Sequence, residues 1–189
     1  MKLPPVFPVL LATLVAAGCA APPPAAPYVV ATLEPTRGNT TAGTVWFAQD
    51  GAQVWVRGRV TGLKPNQEHG FHVHEKGDCS SGDGMSAGAH LNPTGKPHGP
   101  QSAEHHAGDL PSLKADANGN AVVNLRIAGT VLGSGAGDLA GKGLIVHADP
   151  DDYVTQPTGN SGARIACGLI STTAGRDAAG RELPIPKEM

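Results

Sequence analysis

Short segments in which apolar and polar residues alternate constrain the fold more than any other feature of this sequence. Valines at 54, 56 and 60 alternate with polar or amphipathic residues, and Val123, Leu125 and Ile127 do the same in a second segment. Because successive side chains of a strand point to opposite faces, each segment is typical of a strand with one buried face. No window beyond the first 27 residues shows a sustained 3.6-residue apolar repeat. The sequence therefore predicts an all-β domain.

Turn signals separate these segments. Asp50-Gly51 lies between Thr44–Phe47 and the valine-rich segment, which predicts a hairpin, and Asn118-Gly119 precedes the second segment. Gly143–His147 and Arg164–Ile170 are two further apolar segments. The 26 glycines and 17 prolines lie mostly between such segments, which indicates many turns and long loops.

The first residues have a different composition. Lys2 supplies a positive charge, residues 6–17 are apolar, and Ala16-Ala17-Gly18 places small residues at a cleavage point, so residues 1–18 are interpreted as a secretory signal. The stretch V-A-A-G-C resembles a bacterial lipobox, in which Cys19 becomes the lipidated first residue and attaches the protein to a membrane. The alternative is an ordinary secreted protein whose signal contains a cysteine. Both predict export, here to the periplasm of a bacterium.

The domain boundaries follow from composition. Residues 19–27 are rich in proline and alanine and form an extended linker in our interpretation. Residues 28–173 are long enough for one domain with a substantial core, and residues 174–189 are predicted to be a loosely ordered tail. The net charge of −2 and the absence of a basic run argue against a nucleic-acid partner.

Two cysteines remain in the domain, Cys79 and Cys167. In an exported chain they are expected to form a disulfide, although two buried thiols are the alternative. The loop that this bond closes spans 167 − 79 = 88 residues. Chain entropy assigns such a closure about 4 to 5 kcal/mol, an upper value.

Two histidines, His72 and His74, lie one residue apart in G-F-H-V-H-E. On a strand they share a face, with their Cα atoms roughly 7 Å apart, so both imidazoles can bind one metal ion. A pair alone is weak evidence, since isolated histidines are mostly structural. Six more histidines change that assessment: His69, His90, His98, His105, His106 and His147.

Four of these histidines fall in the loop from Glu75 to Asp116, which is longer than a compact domain usually tolerates, as is the loop 148–163. Asp109 follows His106 by three residues and adds a carboxylate oxygen. Nitrogen ligands with one carboxylate suit zinc or copper better than calcium or magnesium. We therefore predict one site drawn from His90, His98, His106 and Asp109, and a second that joins His72 and His74 to His147.

Five motifs occur here in the order known from one protein family. They are G-F-H-V-H-E, S-A-G-A-H-L-N-P, H-A-G-D-L, L-I-V-H-A-D and G-A-R-I-A-C-G. As a set they resemble the copper,zinc superoxide dismutase family, especially its secreted bacterial members, from about Val29 to about Ser171. The resemblance implies a Greek-key β-sandwich, or flattened eight-stranded barrel, with two long functional loops.

The resemblance also implies roles for individual residues. The copper ligands are His72, His74, His90 and His147, and the zinc ligands are His90, His98, His106 and Asp109. His90 then bridges the two metals and stores a proton, while Arg164 lies beside copper as the second catalytic residue. Asp151 is expected to join a copper histidine to a zinc histidine by hydrogen bonds, and Cys79–Cys167 matches the family's intrasubunit disulfide.

Some residues depart from the family pattern. The spacing from His98 to His106 is one residue shorter than in the animal enzymes, and His105 competes with its neighbour for the same role. The H-x-G-D spacing selects His106. We predict that His69 is a buried imidazole bonded to backbone and that His105 is solvated. The loop after His147 is also short of the acidic and lysine residues that the animal enzymes place near the substrate channel, so the resemblance does not show which lysines guide the substrate here.

The predicted activity is superoxide dismutation, with one copper and one zinc per subunit and superoxide as the small-molecule substrate. The alternative is a domain of the same fold that binds copper or zinc without turnover, as a chaperone or storage protein. The sequence leaves open whether the protein is a monomer or a homodimer.

Overall fold

The computed structural model describes Met1 and residues 28–171, and this part of the chain is built almost entirely of antiparallel strands. The predicted signal beyond Met1, Cys19, the linker 19–27 and the tail 174–189 lie outside the described residues. The predicted all-β class is confirmed. Among the described residues, no helix has the length and apolarity needed to cross a membrane.

The strands are β1 (Tyr28–Pro35), β2 (Ala42–Asp50), β3 (Gln53–Thr61), β4 (Glu68–His69), β5 (Phe71–His74), β6 (Leu113–Lys114), β7 (Ala121–Ile127), β8 (Gly143–His147) and β9 (Arg164–Ser171). Seven of them form one curled sheet in the order β5-β8-β9-β1-β2-β3-β7, and β4 pairs with β6. Only Gly70 separates β4 from β5, so counting these two as one interrupted strand gives the predicted eight. The chain crosses from one side of the sheet to the other after β3 and again after β7, as in Greek-key barrels.

The alternating valines place the core on one face of the sheet. Val54, Val56 and Val60 are fully buried in the main hydrophobic cluster, as their spacing predicts. The β2–β3 hairpin pairs Asp50 with Gln53, and Gly51 takes a φ of +60° at the first loop position, a conformation that favours glycine.

Phe71 and Val73 of β5 also point into the core, so His72 and His74 point away from it. Both histidines are nevertheless fully buried. The loops after β5 and after β8 cover them, and this covering creates the site.

The loop between β5 and β6 contains a single 3₁₀ turn, Met85–Ala87, and backbone hydrogen bonds order the rest against β5. The N–H of Val73 donates to Gly108 O (2.8 Å), and the N–H of Leu91 donates to Val73 O (2.8 Å). A disulfide between Cys79 and Cys167, with Cα atoms 5.8 Å apart, ties the same loop to β9. The predicted disulfide is therefore confirmed, and the alternative of two buried thiols is wrong.

Candidate metal centre

Seven buried side chains form two groups of four that share one histidine. The first group is His72, His74, His90 and His147, and the second is His90, His98, His106 and Asp109. Within each group, one potential ligand atom from every member lies within 4.8 Å of the others. The structure thus brings together all seven predicted ligands, in the two sets that the sequence predicts.

Strand pairing positions the first group. β5 pairs with β8, and His72 lies opposite Ile145. His147 ends β8 and lies on the same face of the sheet, just after an irregularity in the pairing of β8 with β9. His90 arrives from the covering loop through an isolated antiparallel bridge to His74. Two strands and one loop therefore supply this group.

Each histidine of the first group has one ring nitrogen that is buried without a hydrogen-bond partner. These atoms are His72 Nδ1, His74 Nε2, His90 Nε2 and His147 Nε2. Buried polar atoms are almost always satisfied, so four unsatisfied nitrogens in one cluster indicate a missing common partner. A metal ion that accepts four nitrogen ligands fits this arrangement.

The opposite nitrogens hold the rings in place. His74 Nδ1 donates to Gly88 O at 2.9 Å, and His147 Nδ1 donates to Gly162 O at 3.2 Å. These bonds place the ring proton on the outer nitrogen and leave a lone pair facing the cluster, as is usual for metal-binding histidines.

The second group surrounds Asp109. Its Oδ1 lies 2.8 Å from His90 Nδ1 and 3.2 Å from His106 Nδ1, and its Oδ2 lies 3.0 Å from His98 Nδ1. Backbone N–H groups of His106 and Gly99 also donate to Oδ2. Three imidazoles and one carboxylate are a typical donor set for zinc.

Asp151 joins the two groups from outside. Its Oδ2 accepts from His72 Nε2 at 2.7 Å, and its Oδ1 lies 2.9 Å from His98 Nε2. The carboxylate thus contacts one histidine from each group, in the position that the sequence predicts.

Burial keeps three histidines of the first group neutral. Desolvation lowers the pKa of His72 to about 4, of His74 to about 2 and of His147 to about 3, and neighbouring histidines act in the same direction. Neutral imidazole is the form that binds a metal ion. These three side chains are therefore ready to bind metal throughout the neutral pH range.

The second group carries charge. Burial opposes the charged form of His98, but the carboxylates of Asp109 and Asp151 outweigh it and raise the pKa of His98 to about 9. Hydrogen bonding to histidines likewise holds the pKa of both carboxyls well below the ordinary range despite their burial. Two carboxylates at this centre offset the charge of a divalent cation.

Arg164 lies at the start of β9 beside the first group. Its Nη1 donates to Gly84 O and its Nη2 to Gly88 O, both at 2.7 Å. Gly88 O also accepts from His74, so one carbonyl orients both the arginine and a candidate ligand. Burial lowers the pKa of Arg164 but leaves it a cation at neutral pH. The role of these two carbonyls was not visible in the sequence, which carries no signal for backbone acceptors.

The two remaining histidines lie outside both groups. His69 is 1% exposed and its Nδ1 donates to His147 O at 2.8 Å, so its predicted backbone-bonded role is confirmed. His105 is partly exposed, and its Nδ1 lies 2.7 Å from Ala103 O. Sequence reasoning missed Tyr153 and Gln156, which connect the loop after β8 to the loop after β5.

Fold and site together define an all-β protein of the metal-binding class, with two adjacent ligand groups that could each hold an ion on the face of the curled sheet opposite the core. The family model described as copper/zinc superoxide dismutase (SODC) matches residues 41–170, which is more than half of the chain. The chain belongs to the copper/zinc superoxide dismutase family, an enzyme family whose cofactors are copper and zinc.

Individual relatives and solved structures resemble the chain over most of its length. The chain is 43% identical over 149 residues to superoxide dismutase [Cu-Zn] 2 of Brassica juncea, covering 75% of this chain and 95% of the relative. Among solved structures, the clock protein EA4 is 36% identical with a TM-score of 0.70, covering 80% of this chain and 98% of EA4. A double mutant of a SOD-like protein from Bacillus subtilis is 38% identical with a TM-score of 0.69, covering 75% of this chain and 96% of that structure.

Proposed function

We propose that the protein catalyses the dismutation of superoxide, in which two superoxide anions and two protons give one molecule of oxygen and one of hydrogen peroxide. The observation that carries this proposal is the cluster of four unpartnered nitrogens, together with the presence of His90 in both ligand groups. A site for a redox-active ion is thereby joined through one ring to a site for a second ion.

In this proposal the first group holds copper and the second holds zinc. An all-nitrogen set suits copper, and the set with one carboxylate suits zinc. Copper supplies a reversible one-electron step by alternating between Cu(II) and Cu(I), whereas zinc supplies a fixed charge.

His90 handles a proton in this proposal. Its Nε2 faces the first group without another partner, and its Nδ1 faces Asp109 and His106 of the second. The Nδ1 side would keep the ring in place, and the one lone pair of Nε2 would serve either the first ion or a proton. Nε2 would therefore hold a proton in the half of the cycle in which it does not bind the ion, and give it up to form hydrogen peroxide in the other. The proton is thus held next to the position where it is needed.

Arg164 binds the substrate anion. Two carbonyls fix its guanidinium, and its charge acts on the first group, since it helps to lower the pKa of His74 and His147. A fixed cation beside the first group attracts a monoanion and orients it toward the ligands.

We also propose that the protein is exported and belongs to the secreted bacterial type. The signal-like residues 1–18 support export, and the Cys79–Cys167 disulfide is typical of an oxidising compartment. A lipid on Cys19 would anchor the domain to a membrane. Mass spectrometry of the mature N-terminus tests the anchor: a mass that matches an unmodified N-terminal peptide would contradict it.

A second candidate function is metal binding without turnover. The likeness to EA4, a protein described as a clock protein, favours it. Superoxide decay measured with the copper- and zinc-loaded protein, against the same protein loaded with zinc alone, separates the two functions. Dismutation predicts accelerated decay only with copper present, while binding without turnover predicts full metal content and the uncatalysed decay rate.

A further inference from the structure

The loop after β8 contains an aromatic residue in an unusual backbone conformation. Tyr153 has a φ of +57°, in the left-handed region that bulky side chains rarely adopt. Such strain persists only where surrounding contacts hold it, and it is most frequent at functional sites. The contacts of Tyr153 therefore indicate what this conformation does.

Tyr153 is held by hydrogen bonds to two residues, one through its backbone and one through its side chain. At the backbone, its N–H donates to Asp151 Oδ1 at 2.7 Å. At the tip of the side chain, its hydroxyl accepts from the N–H of Ser112 at 2.8 Å and donates to Ser112 Oγ at 3.0 Å. Ser112 lies at the end of the other covering loop, just before β6.

The backbone contact reaches the oxygen that matters for the metal centre. Oδ1 of Asp151 is the atom that contacts His98, while Oδ2 binds His72. Without the N–H of Tyr153, the carboxylate would lose the contact that fixes its rotation toward both histidines. The left-handed φ of Tyr153 is the conformation in which its N–H faces Asp151 while its side chain reaches Ser112, so the hydroxyl bond to Ser112 and the N–H bond to Asp151 support one another.

We propose that Tyr153 is a positioning residue for Asp151, and through Asp151 for the zinc ligand His98 and the copper ligand His72. The proposal rests on the metal assignment given under Proposed function. Ser112 holds the hydroxyl of Tyr153, and the N–H of Tyr153 in turn fixes the orientation of the Asp151 carboxylate. Partners of this kind typically change metal affinity by about 10- to 100-fold when removed.

Loss of the hydroxyl bonds to Ser112 should not release the whole loop. Gln156 holds it independently, because its Oε1 accepts from the N–H of His98 at 2.8 Å and its Nε2 donates to His98 O at 2.9 Å. Tyr153→Phe therefore removes the hydroxyl bonds while the loop stays attached. The variant tests the orientation of the Asp151 carboxylate without unfolding the loop.

The experiment measures zinc release from the copper- and zinc-loaded protein into an excess of a chromogenic chelator, together with the Cu(II) electron paramagnetic resonance spectrum. We expect Tyr153→Phe to release zinc about tenfold faster and to change the copper spectrum, since His72 shares the carboxylate. Ser112→Ala, which removes one of the two hydroxyl partners, should give a smaller change in the same direction. Tyr28→Phe makes the same chemical change at the start of β1 and should match the parent protein.

Zinc release and a copper spectrum identical to the parent in both Tyr153→Phe and Ser112→Ala would overturn the proposal. Equal acceleration in Tyr28→Phe would also overturn it, because the effect would then not be specific to Asp151. The outcome is separable from the activity. A parent protein that dismutes superoxide while Tyr153→Phe keeps the parent release rate contradicts the positioning role alone. A parent that binds both metals without dismutation contradicts the proposed function alone.

Discussion

His72 Nε2 lies 2.7 Å from Asp151 Oδ2, and both side chains are fully buried. Because the carboxylate is held ionised, the proton of this pair resides on Nε2, and Nδ1 of His72 is left with a lone pair toward the cluster. The same carboxylate contacts His98 of the second group. One side chain that binds neither ion in our assignment therefore orients a ligand of each.

Replacing Asp151 by asparagine should weaken zinc binding by about 10- to 100-fold, because an amide cannot accept hydrogen bonds from two imidazoles through both of its terminal atoms. Competition with a zinc chelator measures the affinity. Asp152→Asn is the matched control, since this neighbouring carboxylate is exposed and, within residues 28–171, accepts hydrogen bonds from Val154 and Thr155 and from no ligand histidine. A similar loss of affinity in both variants would contradict the role of Asp151.

His72→Ala should abolish superoxide dismutation and copper retention while the fold is largely preserved. The side chain points away from the hydrophobic core, so its removal takes one nitrogen from the first group without disturbing the packing of Phe71 and Val73. Metal analysis and circular dichroism check both parts. His105→Ala should retain both metals and the parent activity, and an active His72→Ala protein would remove His72 from the copper site.

Arg164→Ala should lower the rate of superoxide decay by about tenfold at low ionic strength, the lower end of the range for electrostatic guidance. Both metals should remain bound, because Arg164 belongs to neither ligand group. Adding salt should slow the parent more than the variant, since the attraction that salt screens is already lost. Arg126→Ala, on the exposed surface of β7, should behave like the parent.

Replacing both Cys79 and Cys167 by serine should lower the free energy of unfolding by up to about 4 to 5 kcal/mol, because an 88-residue loop is no longer closed in the unfolded chain. Denaturant titration measures the loss. Activity should fall as well, since the freed loop carries the two carbonyls that hold Arg164. A double variant with parent stability would show that the bond does not restrict the unfolded chain.

The metal-free protein should be most stable at about pH 7, slightly above the ordinary histidine pKa, because three histidines with lowered pKa outweigh the one with a raised pKa. His72, His74 and His147 have folded pKa values of about 4, 2 and 3, below the ordinary value of 6.5, so the unfolded chain binds more protons as the pH falls below 6.5 and stability decreases. His98 acts oppositely. Its pKa is raised to about 9, so its stabilising proton is fully bound below pH 6.5 and is lost as the pH rises toward 9.

Each of these groups contributes a slope of at most about 1.4 kcal/mol per pH unit. Thermal unfolding of the chelator-treated protein between pH 4 and 9 checks the prediction. A stability that rises steadily as the pH is lowered from 6.5 to 4 would contradict it.

The regular strands were predictable because their patterns are local. The β2–β3 hairpin and β7 follow from alternating apolar residues next to turn signals, and the structure has both. β1 gave no such signal, since Val29, Val30 and Ala31 are apolar in succession and all three are buried. The two-residue strands β4 and β6 are too short to show a period.

The two ligand groups were predictable because histidines carry their chemistry in the side chain and occur in recognisable motifs. Contacts made by backbone atoms were not predictable. Two such contacts depend on how distant loops pack. One is the carbonyl of Gly88, which accepts from both His74 and Arg164, and the other is the N–H of Tyr153, a residue with a left-handed backbone. A sequence read locally contains no record of that packing.

β5 is an edge strand of the sheet, and the residues that cover its outer edge are backbone neighbours of candidate zinc ligands. Gly108 lies in sequence between the candidate ligands His106 and Asp109. Its backbone packs so closely against β5 that an added Cβ would collide with the carbonyl oxygen of Val73. We expect that removing zinc weakens this backbone cover, since Gly108 is bonded in sequence to a candidate zinc ligand. Loss of the cover would expose unpaired peptide groups of an edge strand, on which separate molecules can pair and aggregate. Metal supply in the cell would then govern solubility as well as chemistry.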